Sequence, residues 1–244
     1  MAHMLPQGGD QALPQGEEKV AAVRSMFDAI APRYDLVNRV MTLRMDVGWR
    51  RDAVRSLDLP VGSIVLDLAA GTGDLCRELV RAGHYPVGID LSAGMLAAAR
   101  TSAPLVQADV LDLPVPDGAA DGVTCGFALR NFVDLGRFFA ELGRVVRPGG
   151  RIALLEVAEP PNAIMRWGHG LYFGKVVPRI GGLLSDGPFG HGAGRDAYRY
   201  LPRSVEYLPD PDTMVGMLRG AGFDHVERRL LTGGIAQLLL GTRA

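Results

Sequence analysis

Between residues 63 and 157 short apolar runs alternate with segments of helical period, and this alternation limits the fold more than anything else in the chain. The runs 63–68, 85–90, 105–108, 122–127 and 151–157 read as strands, and the segments 74–82, 92–100 and 135–146 read as helices. Parallel strands need a crossover, which a helix usually supplies, so the pattern predicts an α/β fold with helices on both faces of a mostly parallel sheet. A helix near 212–221 and strands at 226–231 and 235–240 bring the expected sheet to seven strands. Ahead of the first strand, Val20, Val23, Met26, Phe27 and Ile30 make one apolar helical face before Pro32, and a second helical stretch runs over 36–57. We expect residues 17–60 to form a helical cover and 1–16, rich in Gly, Pro and Gln, a disordered tail. Residues 17–244 are expected to form a single domain, with 160–205 as an insertion on the substrate side.

A sheet covered on both faces needs a large core, and 48% hydrophobic with 22% charged residues can supply one. The formal charge of -1 gives no polybasic field, so nucleic acid is not expected as a partner. Cys76 and Cys125 lack Cys-x-x-Cys or Cys/His spacing, which points to core thiols and to no metal. No apolar run reaches the ~18 residues of a membrane span, and the N-terminus has no signal-peptide zones. The expected location is the cytoplasm, with any membrane contact peripheral, on the inner face of the cytoplasmic membrane.

The first strand leads into Asp67-Leu-Ala-Ala-Gly71-Thr72-Gly73-Asp74, whose glycines let a ligand approach the backbone at a helix start. A dinucleotide fingerprint would want Gly at Cys76, and a pyrophosphate would meet the Asp74 carboxylate unfavourably. A ligand carrying an ammonium and a sulfonium would not, and Asp67 is placed to meet its positive end. Asp90 ends the second strand, where a carboxylate can accept from both ribose hydroxyls. Asp109 follows the third strand, where it can take an adenine amino group while the Val110 N–H donates to the ring. Singly, each acid also reads as a helix cap or turn residue.

Other motifs resemble those of the class I methyltransferases, and within them the ubiquinone/menaquinone biosynthesis C-methyltransferase family. They are Tyr34-Asp-Leu-Val-Asn38, Asp46-Val-Gly-Trp49, Ala128-Leu-Arg130-Asn131, Arg144-Val-Val-Arg-Pro-Gly-Gly150, Tyr198-Arg-Tyr-Leu-Pro202 and Leu231-Thr-Gly-Gly-Ile235. The resemblance implies a Rossmann-like fold, S-adenosylmethionine as cofactor, and methylation of a ring carbon of a polyprenyl quinol, with demethylmenaquinol as the expected acceptor. It implies cofactor contacts at Thr72, Asp90, Asp109 and Val110, and places Gly126 where the family has a contacting Ser. Val37, Asp46 and Ala158 replace the family's Met, His and Ser, and an insertion covers 186–194. The alternative is a paralogue acting on another lipophilic phenol.

Such a reaction needs an in-line acceptor, exclusion of water and a phenol that loses its proton. Arg130 and Asn131, just past the fourth strand, are the expected holders of the phenolate. The Arg130 guanidinium stays protonated, so Asp46 is the first candidate for the proton acceptor and His169 the second; an ion pair of Arg130 with Asp134 or Asp121 is the structural alternative. Tyr34, Trp49, Tyr198 and Tyr200 are expected to wall the acceptor, or else to be core. The aromatic-rich stretch 164–184 fits an isoprenoid cover resting on a membrane, and equally a lid or a homodimer face.

Overall fold

The structure is a computed structural model that describes residues 15–163, 165, 166 and 204–244. His169, Tyr198, Tyr200, the 186–194 insertion and most of the 164–184 stretch lie outside the described residues.

The strands are β1 (Ile64–Leu68), β2 (Tyr85–Asp90), β3 (Leu105–Gln107), β4 (Ala120–Gly126), β5 (Val146–Val157), β6 (Phe223–Leu231) and β7 (Ala236–Arg243). They form one seven-stranded sheet in the order β3-β2-β1-β4-β5-β7-β6. β1 to β5 are parallel, while β7 runs antiparallel to both β5 and β6. The described helices are α1 (Gly16–Ile30), α2 (Tyr34–Met41), α3 (Met45–Leu57), α4 (Asp74–Arg81), α5 (Ala93–Ala98), α6 (Leu135–Val145) and α7 (Pro211–Gly220).

The two-residue period of a strand sorts β5 cleanly between two cores. Ile152 and Leu154 face α6 and α7, where Phe138, Phe139, Leu142, Met214 and Leu218 are buried. Ala153 and Leu155 face the other way, onto Trp49, Ala53 and Leu57 of α3 and Leu75 and Leu79 of α4. The expected helices on both faces are therefore present. Cys76 and Cys125 are both free and fully buried, as core thiols.

Several boundaries differ from the sequence expectation, and two of them have a clear cause. The stretch 36–57 divides into α2 and α3 at Leu43 and Arg44, which carry φ of 51° and 63°. No Gly, Pro or Asn marks this break; Thr42 stabilises it instead, its hydroxyl lying between two acceptors, Asn38 O at 2.8 Å and Asp46 Oδ1 at 2.6 Å. β5 starts earlier than expected because Val146 pairs with Ala120 before an irregularity re-registers Arg151 on Gly122. At the centre of the sheet, β1 connects outward to β2 and β3, whereas β4 and β5 lie on its other side. That reversal is the switch point at which open α/β sheets bind ligands, beyond the carboxyl ends of the strands.

Candidate active site

At the switch point the chain turns from β1 into α4 through Ala69, Gly71 and Gly73, with φ of 53°, 55° and 79°. The two glycines adopt this region freely, whereas Ala69 carries the left-handed penalty of roughly 1–2 kcal/mol. Asp90 braces the turn from the end of β2: its Oδ2 accepts from the Gly71 N–H and its Oδ1 from the Ser92 N–H, both at 2.8 Å. Burial raises its pKa, and those two N–H groups pull it back. Asp109 accepts from the Leu111 N–H at 2.9 Å. Asp90, Asp109 and Val110 line a cleft with about 840 Å³ of empty space, part of it open to solvent. Val20, Val23 and Phe27 of α1 roof it, and Met95, Phe127 and Phe132 complete an apolar wall.

A smaller cavity of about 350 Å³ adjoins the cleft and shares Tyr34, Ala69, Gly71 and Gly126 with it. Asp67 and Thr72 line this second space. The Asp67 carboxyl is 1% exposed, and burial raises its pKa to about 6. Thr124 Oγ1 donates to its Oδ1 at 2.9 Å and Cys76 Sγ to its Oδ2 at 3.2 Å. The predicted cofactor residues thus converge, except that Gly73 lines neither cavity and acts through the turn: a Cβ there would lie 2.8 Å from Thr101 Cγ2. A carboxylate at each end, acceptors between them and an apolar wall suit a ligand with a cationic amino-acid end and a nucleoside end. Asp74 is less available than its position suggested, because Arg39 at 2.9 Å, Arg50 at 3.4 Å and Arg77 all pair with it.

On the acceptor side the outcome is mixed. Asn131 reaches the cleft with 9% exposure, and its Oδ1 has no hydrogen-bond partner among the described residues. Tyr34 lines both cavities, and burial raises its phenol pKa. Arg130 lines neither cavity; its guanidinium pairs with the buried Glu156 and its Nε donates to Ser204 Oγ at 3.0 Å. The ion-pair partner is thus Glu156, at the end of β5, rather than Asp134 or Asp121. Asp46 is also away from both cavities, buried between Thr42 and Arg50. Trp49 stands behind the wall, its ring centroid 6.1 Å from that of Phe127 and its Nε1 donating to Thr232 Oγ1 at 2.7 Å.

Sequence reasoning missed the polar contacts that dock the cover. Lys19 of α1 is 3% exposed; its Nζ donates to Arg130 O at 3.0 Å and Phe132 O at 2.9 Å, and lies 3.6 Å from the Tyr207 ring centroid. Burial lowers its pKa to about 8. Asp28 accepts from Ser92 Oγ at 2.5 Å and from the Gly94 N–H at 2.9 Å. Asp35 accepts from Thr72 Oγ1. A signal for Lys19 existed: it shares a helix face with the buried Ala22, Met26 and Ile30.

Residues 14–243 match the model of the ubiE/COQ5 methyltransferase family. The chain belongs to this methyltransferase family. A demethylmenaquinone methyltransferase of Thermus thermophilus is 44% identical, with 89% of this chain and 100% of the relative covered. One of Deinococcus radiodurans is 41% identical over 99% of each chain. A ubiquinone/menaquinone biosynthesis C-methyltransferase of Syntrophotalea carbinolica is 41% identical over 91% of this chain and 94% of its own. A solved SAM-dependent methyltransferase of Thermotoga maritima shares the fold, with a TM-score of 0.61 at 16% identity over 91% and 99% of the two chains. The cofactor of this methyltransferase is S-adenosylmethionine. The family's 144–150 signature is structural here. Arg144 ties the 113–117 loop through Leu113 O at 3.0 Å and Val115 O at 2.7 Å, and a Cβ on Gly150 would sit 2.7 Å from Asp121 O. At Gly126 a Cβ would lie 2.9 Å from Leu75 Cδ1, so the side chain that the family carries there would press on Leu75.

Proposed function

We propose that the protein transfers the methyl group of S-adenosylmethionine to a ring carbon of demethylmenaquinol, giving menaquinol. The observation that carries this reading is Asn131, a buried residue that lines the same apolar cleft as the strand-end carboxylates and whose Oδ1 has no partner among the described residues. A buried amide atom without a partner costs about 1–3 kcal/mol, which a ligand can recover. The names of the relatives support the acceptor.

The bound cofactor supplies an activated sulfonium methyl. The chain supplies the rest: Asp67 would hold the amino-acid end, Asp90 would accept from the ribose hydroxyls, and Asp109 and the Val110 N–H would address the base. Val20, Val23, Phe27 and Phe132 keep water out. Asn131 holds the acceptor oxygen so that the ring carbon beside it lies in line, and Tyr34 closes the junction between the two cavities. Asn131→Ala tests the assignment. Turnover falls on the order of 10-fold or more, as for loss of a group that orients the acceptor, while affinity for S-adenosylhomocysteine is kept; equal loss of both would refute the role.

The acceptor's prenyl tail resides in lipid, and α2 provides a surface to meet it. Leu36, Val40 and Leu43 share one side of the helix and its C-terminal turn, and they are 56%, 38% and 73% exposed, whereas Val37 and Met41 are buried beneath. Exposed Arg33 and Arg44 flank this stripe. Each cation near an anionic lipid surface contributes about 1 kcal/mol. Among the described residues no helix is long and apolar enough to cross a membrane, so the proposed contact is peripheral.

A further inference from the structure

Lys19 reaches from the first turn and a half of α1 into a place where charge is expensive. The residue is 3% exposed, and its ammonium donates to two carbonyls, Arg130 O and Phe132 O, while resting on the Tyr207 ring. Both carbonyls belong to the turn around Leu129–Asn131 that follows β4, and the residue between them is Asn131. The same turn is held from its other side by the pair of Arg130 with Glu156 and by Ser204. Ser204 and Tyr207 belong to one short helix, Ser204–Tyr207. Three separated segments of chain therefore meet at the Lys19 ammonium: the cover, the Asn131 turn, and the helix 204–207.

We infer that Lys19 is a positioning residue of the acceptor site, fixing the Asn131 amide by gripping the carbonyl on each side of it. The inference rests on the proposed role of Asn131. Because Lys19 lies on the helix that roofs the cofactor cleft, docking the cover and aiming the amide are one event. A buried cation placed merely to fasten α1 would have no need to bracket the one turn residue that lines the cleft and whose buried side-chain oxygen has no partner among the described residues. Removing the ammonium leaves the α1 apolar contacts at Met26 and Ile30 intact and frees the turn.

The test is a double-mutant cycle between Lys19→Met and Asn131→Ala, with kcat and the Kd for S-adenosylhomocysteine measured on each folded variant, and with Lys19→Arg alongside. Methionine keeps the length and apolar fit of the stem. In the Asn131 background, Lys19→Met lowers kcat on the order of 10-fold or more, since small misplacements of a positioning group have effects of this size, and the Kd changes far less. In the Asn131→Ala background the same substitution has little further effect. Lys19→Arg, which still donates to both carbonyls and stacks on Tyr207, recovers most of kcat. Additive losses in the cycle, or a Kd that rises in step with the fall in kcat, would overturn the inference and leave Lys19 a structural tie. No effect of Asn131→Ala by itself would instead remove the role of Asn131 on which the inference is built. If Lys19→Met does not fold, Tyr207→Leu takes its place in the cycle, and additive losses there would overturn the inference in the same way.

Discussion

Lowering the pH from 7 to 5 should weaken cofactor binding while stabilising the empty protein, and the Asp67 carboxyl accounts for both signs. Burial holds its pKa near 6, against 3.8 for a carboxyl in water. Between those values the native state binds more protons than the unfolded chain, so the penalty of a buried charge is relieved as pH falls through this window. With Asp67 1% exposed, the full relief is about 3 kcal/mol, two to three powers of ten in the folding equilibrium. Binding responds in the opposite direction, because the ammonium of the cofactor's amino-acid end favours the ionised carboxyl. Affinity for S-adenosylhomocysteine, which carries the same end, should fall roughly tenfold per pH unit below 6. Titration calorimetry at pH 6 in two buffers of different ionisation enthalpy should show proton release on binding, and melting of the empty protein should shift upward between pH 7 and 5. Asp67→Asn should bind weakly with a flatter pH dependence, which separates Asp67 from Asp90, whose pKa burial also raises. An affinity that is level from pH 5 to 7 with no buffer-dependent heat would refute the reasoning.

Three other outcomes follow from the geometry. Ala69→Gly removes a left-handed alanine and should raise the melting temperature by a few degrees, from relief of about 1 kcal/mol, with activity kept; thermal denaturation checks it, and a drop in stability contradicts it. Asp90→Ala deletes the acceptor for the Gly71 and Ser92 N–H groups as well as for the ribose, so the Kd for S-adenosylhomocysteine should rise on the order of 100-fold, as for loss of charge-assisted hydrogen bonds. Replacing Leu36, Val40 and Leu43 together by Ser should abolish sedimentation with phosphatidylglycerol vesicles and leave activity on a short-chain, water-soluble acceptor unchanged; unchanged sedimentation, or a change of oligomeric state instead, would count against the lipid surface.

The parallel part of the sheet was legible because short apolar runs alternate there with helical segments, with Asp67 near the end of β1 and Asp90 at the end of β2. Asp67, Asp90 and Asp109 were therefore found from spacing alone, as the topology carries all three to one side of the switch point. Contacts between distant segments carry no such local mark. Arg130 was recognisable as important from its motif, yet its partner Glu156 lies twenty-six residues away on a neighbouring strand. Lys19, in a Glu-Glu-Lys start to a helix, looks like a solvated face until its register with Ala22 and Met26 is counted. Asp46 shows the converse: it took the place of a family histidine and so drew attention as a proton acceptor, while its i, i+4 spacing to Arg50 already described the ion pair that the structure contains. The break at Leu43 and Arg44 carries no glycine, because local hydrogen bonding of Thr42 with Asn38 and Asp46 holds it.

The central claim is tested most directly by incubating the protein with S-adenosylmethionine labelled in its methyl group and chemically reduced demethylmenaquinone, then locating the label in the extracted product by mass spectrometry. The account predicts label on the ring carbon, transfer that depends on Asn131, and no label in the absence of reductant. Cofactor binding without transfer to this quinol, or label on a ring oxygen, would contradict it.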